Sequence, residues 1–190
     1  MKAIGIVGSP RKGGNTEYLT AHTLKAIKEE GLGTELITLA GLDIRPCNAC
    51  MVCKKEESCP IDDDLFPIYK KMKEAEAIIL ASPVYFGSVT ALLKALMERA
   101  GYISLSRRVF AGKVGGPLVV ARRAGQNFTH AEITYWFHIN GFFMPGSTYW
   151  NIAFGREKGE VEGDEEGLTT AWNFGKNVAL LVKKLRSRAG

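Results

Sequence analysis

The most constraining feature of the chain is an alternation. Lys2–Val7 is a short apolar run, and it opens straight into a glycine-rich loop and then a helical period. A strand that is apolar throughout is one buried on both faces, which belongs in a parallel sheet covered by helices. The same order recurs along the chain, with further strands at Thr34–Leu39, Ala77–Ala81 and Gly116–Ala121 and a fifth expected within Phe142–Phe154. Between them Glu17–Glu30 reads as a helix closed by Gly31, and Asp62, Asp63 and Asp64 offer caps for a second. In that second helix Leu65, Ile68, Tyr69 and Met72 keep helical spacing, and Pro67 falls in the first turn. Ser88 is placed to cap a third, whose apolar face is Val89, Leu92, Leu93, Leu96, Met97 and Ala100 and whose end is Gly101. Gln126–Ile139 and Leu168 to about Leu185 complete the set, and Gly155–Gly167 reads as a mobile surface loop. Right-handed crossovers between such strands give an α/β three-layer sandwich with a five-stranded parallel sheet. The expectation is a single domain over 1–190, carrying a cysteine-rich loop insertion at about 45–61. In sheets of this kind ligands bind beyond the carboxyl ends of the strands, at the topological switch point.

Composition narrows the partners. A net charge of +5 is a mild excess, with acids interspersed among the Lys and Arg, so no basic stripe for nucleic acid is present. No stretch reaches the ~20 apolar residues of a membrane span. The first residues lack the apolar region and cleavage site of a signal peptide, and the expectation is a cytoplasmic protein.

Two loops carry binding chemistry. Gly8-Ser9-Pro10-Arg11-Lys12-Gly13-Gly14-Asn15-Thr16 follows the first strand. Its glycines, Gly14 among them, permit a tight turn at a helix N-terminus, whose free N–H groups suit an anion. Ser9, Asn15 and Thr16 add neutral donors and Arg11 a positive fork. A Walker A loop needs Lys-Ser or Lys-Thr at its end, and a dinucleotide fingerprint needs Gly-x-Gly-x-x-Gly; neither occurs here. A phosphomonoester such as that of FMN fits better than ATP, the alternative being an ordinary strand–helix turn. After the third strand, Ser82-Pro83-Val84-Tyr85-Phe86-Gly87-Ser88 offers a stiff exit, flat apolar side chains and a glycine for close approach. An isoalloxazine ring needs such packing together with backbone amides at its polar edge. Alternatively Tyr85 and Phe86 fill core.

The four cysteines, Cys47, Cys50, Cys53 and Cys59, fall in one short stretch ending in Cys59-Pro60. A disulfide framework would spread them to staple distant loops. The two-residue spacers let three sulfurs converge on one cube, and the fourth cysteine completes a [4Fe–4S] ligand set. A Cys₄ zinc site is usually built from two separated Cys-x-x-Cys pairs, and zinc or unligated thiols stand as alternatives. No Ser–His–Asp set or carboxylate pair is evident, so no side chain is assigned to catalysis. The aromatic stretch Phe128–Phe154 exceeds what one helix and one edge strand bury, so it reads either as core or as a subunit interface.

Taken together, the two loops and the cysteine run between them resemble the NADPH-dependent FMN reductase group of flavodoxin-like proteins, and within it the archaeal and anaerobe iron–sulfur flavoproteins. The resemblance runs from Lys2 to Gly101, and beyond Val114 rests on Ala121 to Gln126. It implies a flavodoxin-like fold and an FMN-dependent oxidoreductase. Ser9, Arg11, Asn15 and Thr16 match the family's phosphate loop, and Pro83, Val84, Tyr85, Phe86 and Gly87 its ring-lining segment. Gly125-Gln126 resembles a third flavin-side loop, with Arg122 and Arg123 in place of small residues, facing either a nicotinamide cofactor's phosphates or water. The resemblance also implies a homodimer or homotetramer in which the cluster loop faces a neighbour's flavin. Electrons would pass between FMN and the cluster, fed by a small carrier such as ferredoxin or by NAD(P)H. Two other readings stand beside this one: an NAD(P)H:FMN or quinone reductase whose cysteines hold no cluster, and a zinc-stapled interaction module.

Overall fold

The computed structural model describes residues 1–187; residues 188–190, the end of the expected domain, lie outside the described residues. In chain order the elements are β1 (Lys2–Val7), α1 (Asn15–Glu29), β2 (Gly33–Thr38), α2 (Leu65–Glu74), β3 (Ala77–Pro83), α3 (Ala91–Leu105), β4 (Val114–Ala121), α4 (Gln126–Ile139), β5 (Ile152–Phe154) and α5 (Glu165–Ser187). All sheet pairings are parallel, in the order β2-β1-β3-β4-β5. This is the flavodoxin-like winding, and its switch point lies between β1 and β3.

The period-2 alternation of each strand builds two cores. Ile78 and Leu80 of β3 face one way, joining Ile4, Ile6 and Val119 against α2, α3 and α4. Ala77, Ile79 and Ala81 face the other, joining Leu118 and Val120 against α1 and α5. The helices thus split two and three across the sheet, as burial of both strand faces demands. Among the described residues no helix is long and apolar enough to cross a membrane.

Several boundaries differ from the sequence reading, each for a packing reason. The cap of α3 is Thr90, whose side chain accepts from Leu93 N; Ser88 is held in a turn before it. Gly101 does not end α3 but lies within it, where an added Cβ would come 2.8 Å from Trp136 Nε1. It lets α4 approach so closely that Trp136 donates to Met97 O at 2.7 Å. The fifth strand is cut short: Phe143 bridges Val114 at the start of β4, while β5 pairs only with Val119–Ala121 at its end. The aromatic stretch divides in two. Trp136, Phe137 and Phe142 pack in the core with Phe110, while Phe128, Tyr135, Phe143, Tyr149 and Trp150 remain exposed.

Candidate functional site

The carboxyl ends of β1, β3 and β4 open into a cleft of about 350 Å³. Its walls are Ser9, Arg11, Lys12, Gly14, Asn15 and Thr16 from the first loop, and Pro83, Val84 and Tyr85 from the second. Val120 and Arg122 close a third side, and Gly155–Lys158 a fourth. Two buried hydroxyls hold the loops in register. Thr90 Oγ1 donates to Gly8 O at 2.6 Å, and Ser82 Oγ accepts from Thr90 N at 3.2 Å. Gly8 N in turn donates to Ala81 O at 2.7 Å.

The first loop is built for an anion. Gly14 is the extended N-cap of α1 and supplies no side-chain cap, so the helix begins with N–H groups lacking an intrahelical partner. Arg11, Lys12, Arg122, Arg156 and Lys158 line the same cleft, against the single carboxylate of Glu157. A helix N-terminus ringed by cations favours a phosphate.

Segment 155–167, expected as a mobile surface loop, is tied to the fold. It carries a 3₁₀ turn at Glu160–Gly163 and is clamped to the first loop by Asn15. Asn15 Nδ2 donates to Glu157 O and Asn15 Oδ1 accepts from Gly159 N, both at 2.8 Å. A Cβ on Gly155 would lie 2.7 Å from Asn15 Nδ2, so this strap packs directly on the loop. The sequence-predicted donor Asn15 therefore spends its amide on the strap, which brings Arg156 and Lys158 to the cleft. No local sequence signal marks that pairing, because its partners are more than 140 residues apart.

In the second loop Tyr85 and Ser88 exchange backbone hydrogen bonds of 2.9 and 3.0 Å around Phe86 and Gly87. Both central residues have positive φ, +51° and +76°, as a primed turn requires. Gly87 adopts this freely, whereas Phe86 carries strain of about 1–2 kcal/mol with its ring wholly exposed. Glu132 of α4, which the sequence reading did not single out, braces the turn. Its carboxylate accepts from Ser88 Oγ at 2.7 Å and Val89 N at 3.2 Å, and pairs with Lys94 at 2.9 Å. Burial opposes its ionisation, yet the bonds from Lys94, Ser88 and Val89 outweigh this and hold the carboxyl below its usual range. Phe86, Gly87 and Gln126 do not line the main cleft. Gly125 does abut the second loop, since a Cβ there would lie 2.9 Å from Val84 Cγ1 and 3.1 Å from Gly87 Cα. Gln126 faces a neighbouring cavity with Asn127, Tyr149 and Trp150, its Oε1 buried without a partner.

The four cysteines, with Met51, Ile61, Arg99 and Ile103, surround a second cavity of about 50 Å³. Among the described residues no three Cys, His, Asp or Glu stand close enough to share one metal ion. The thiols ring a space instead of meeting at a point. Ala49 and Met51 both lie in the left-handed region, at φ +56° and +63°. Such residues cost about 1–2 kcal/mol each. Burial, and then the neighbouring cysteines, push the Cys53 thiol up. Four thiols lining one cavity are the donor set that a metal–sulfur group takes.

A doubly wound α/β domain with a cation-lined cleft at its switch point has the architecture that nucleotide- and flavin-binding proteins use. Residues 1–157 match the NADPH-dependent FMN reductase family, and the chain belongs to it as an FMN-dependent oxidoreductase. Within that family it groups with the iron–sulfur flavoproteins. It is 45% identical to one from Methanocaldococcus jannaschii, over 98% of this chain and all of that one. It is also 39% identical to one from Methanosarcina thermophila, over 99% of this chain and all of that one. Solved structures share the fold at low identity. RosB bound to 8-demethyl-8-formylriboflavin-5'-phosphate matches at TM-score 0.79 and 17% identity, covering 98% of this chain and 81% of that one. A WrbA-like protein from Agrobacterium tumefaciens matches at TM-score 0.71 and 14% identity, covering 96% and 98%.

Proposed function

We propose that this protein passes electrons between FMN, held in the β1/β3 cleft, and a [4Fe–4S] cluster held by Cys47, Cys50, Cys53 and Cys59. The observation that carries the reading is the convergence of both sequence-predicted loops on one cation-rimmed cleft, with every cysteine on a second cavity. When bound, FMN exchanges hydride or single electrons, and the cluster exchanges electrons one at a time. Ser9, Arg11, Thr16 and the first N–H groups of α1 take the phosphate, with Gly14 allowing close approach. Asn15 holds the strap that carries Arg156 and Lys158 over it. Pro83, Val84 and Tyr85 pack against the ring, Phe86 and Gly87 shape their turn, and Gly125-Gln126 borders the ring side. A single run of thiols with two-residue spacers, in place of two separated Cys-x-x-Cys pairs, favours a cluster over zinc.

The donor is a small carrier such as ferredoxin, or NAD(P)H meeting Arg122 at the rim. Exposed Phe86, Tyr135 and Trp150 support assembly as a homodimer or homotetramer, which sedimentation would measure. Anaerobic purification with an absorption spectrum, iron and sulfide analysis tests the central claim. Flavin together with about four irons per chain is expected. Flavin without iron after reconstitution would instead make the protein an NAD(P)H:FMN or quinone reductase. Stopped-flow mixing with NADPH or with reduced ferredoxin then identifies the donor by which one bleaches the flavin.

A further inference from the structure

One charged side chain lies where the helical pattern demands an apolar one. Arg99 sits on the inner face of α3 between Leu96 and Ile103 and is only 2% exposed. Its guanidinium reaches both ends of the cysteine loop at once. Nη1 donates to Arg45 O at 3.0 Å and to Asp63 Oδ2. Nη2 donates to Asp63 Oδ1 at 3.0 Å, to Ile61 O at 3.3 Å and to Cys59 Sγ at 3.3 Å. Asp63 completes the clasp, accepting from Arg45 N at 2.9 Å and Leu65 N at 3.1 Å.

Stability alone gives little reason for this arrangement. A buried ion pair loses much of its Coulombic gain to desolvation, and apolar residues of similar volume commonly do as well. Here Arg99 Nε is also left buried without a partner. What the guanidinium adds is geometry and charge: a planar fork that fixes residues 45 and 61–63 together, with one N–H aimed at a thiol sulfur. Among the described residues Cys59 is the one thiol bonded by a cationic side chain; Cys47 Sγ accepts only from the Ala49 backbone, at 3.4 Å.

We infer that Arg99 is a positioning residue for the cluster: it closes the 45–61 loop around the metal site and, through its N–H···S bond to Cys59, raises the cluster's reduction potential. This rests on the cluster reading above. Adding one electron to a cluster increases the negative charge shared by its sulfurs, and a donor on a ligand sulfur stabilises that reduced form. No bond is made or broken in the step, which is transfer of one electron.

The test compares wild type, R99K and the double variant D63N/R99M, each reconstituted anaerobically with iron and sulfide. R99K keeps the charge but not the fork, and D63N/R99M removes both charges together, so no lone charge is left buried. FMN content and circular dichroism report the rest of the fold. Spectroelectrochemical titration reports the potential, which a purely structural residue would not move. R99K is expected to retain iron but to shift its one-electron equilibrium about tenfold toward the oxidised form, ~59 mV more negative. D63N/R99M is expected to bind FMN yet lose more than half of its iron. Potential and iron content equal to wild type in both variants would overturn the role of Arg99 alone. Wild type that holds no iron would overturn the cluster reading and this inference with it.

Discussion

Thr90→Val tests whether one hydroxyl holds the β1/β3 cleft together. Thr90 is 3% exposed, and its Oγ1 both accepts from Leu93 N at 3.2 Å and donates to Gly8 O at 2.6 Å. Valine has nearly the same shape, so no cavity forms and the change isolates the two hydrogen bonds. Loss of the α3 cap costs about 1 kcal/mol. Leaving the buried Gly8 carbonyl without its hydroxyl donor costs about 1–3 kcal/mol more. The total is roughly 2–4 kcal/mol, which for a chain of this length lowers Tm by about 6–12 °C. Urea and thermal unfolding at fixed, saturating FMN measure it, since bound ligand itself shifts stability. Thr90→Ser keeps the hydroxyl and is expected to lose less than about 1 kcal/mol. A Thr90→Val protein within about 0.5 kcal/mol of wild type, or a serine variant as damaged as the valine one, would refute the reasoning.

Three further outcomes follow from the same geometry. Asn15→Ala removes both bonds to the 155–163 strap and is expected to weaken FMN binding about tenfold in a fluorescence titration, with steeper protease sensitivity near Arg156; unchanged affinity and cleavage would detach the strap from the site. Glu132 ionises more readily folded than its ordinary value of 4.5, so its contribution to stability is complete above pH 4.5 and is lost as pH falls through the lower folded-state value. Glu132→Gln should therefore lie below wild type at neutral pH and converge on it in acid, which unfolding curves between about pH 7 and pH 3 would read. Gly115→Ala drives a Cβ to 2.6 Å from both Ile78 O and Phe137 Cε1, and is expected to cost about 1–3 kcal/mol in denaturant unfolding; a neutral result would mean that β4 shifts freely.

Local sequence is a good guide wherever the physics is local. The apolar runs of β1, β3 and β4 could be read directly because strands buried on both faces admit no polar alternation. Gly31 at φ +86° closes α1 as expected, and Pro67 falls in the first turn of α2, both being backbone preferences of single residues. Both cleft loops and all four cysteines were visible for the same reason: glycines, small donors and thiols declare themselves by type and spacing. The bounds of α3 were less legible, since Gly101 looks like a stop until Trp136 of α4 is seen packed against it.

Tertiary structure alone decided what surrounds those motifs. Glu132 beneath the second loop, Arg156 and Lys158 over the first, and Arg99 behind Cys59 are each brought in from distant sequence. Their side chains carry no local signature: a charge on a helix, as at Glu132 and Arg99, or in a surface segment, as at Arg156 and Lys158, is ordinarily solvated, and only its neighbours in the fold reveal what it faces. Thus the chain's alternation and motifs determined the class of fold and which loops stand at its switch point. Only the folded packing decided that the 155–163 strap is clamped by Asn15, and that a buried guanidinium fastens the cysteine loop, since the partners meet only when the sheet has formed.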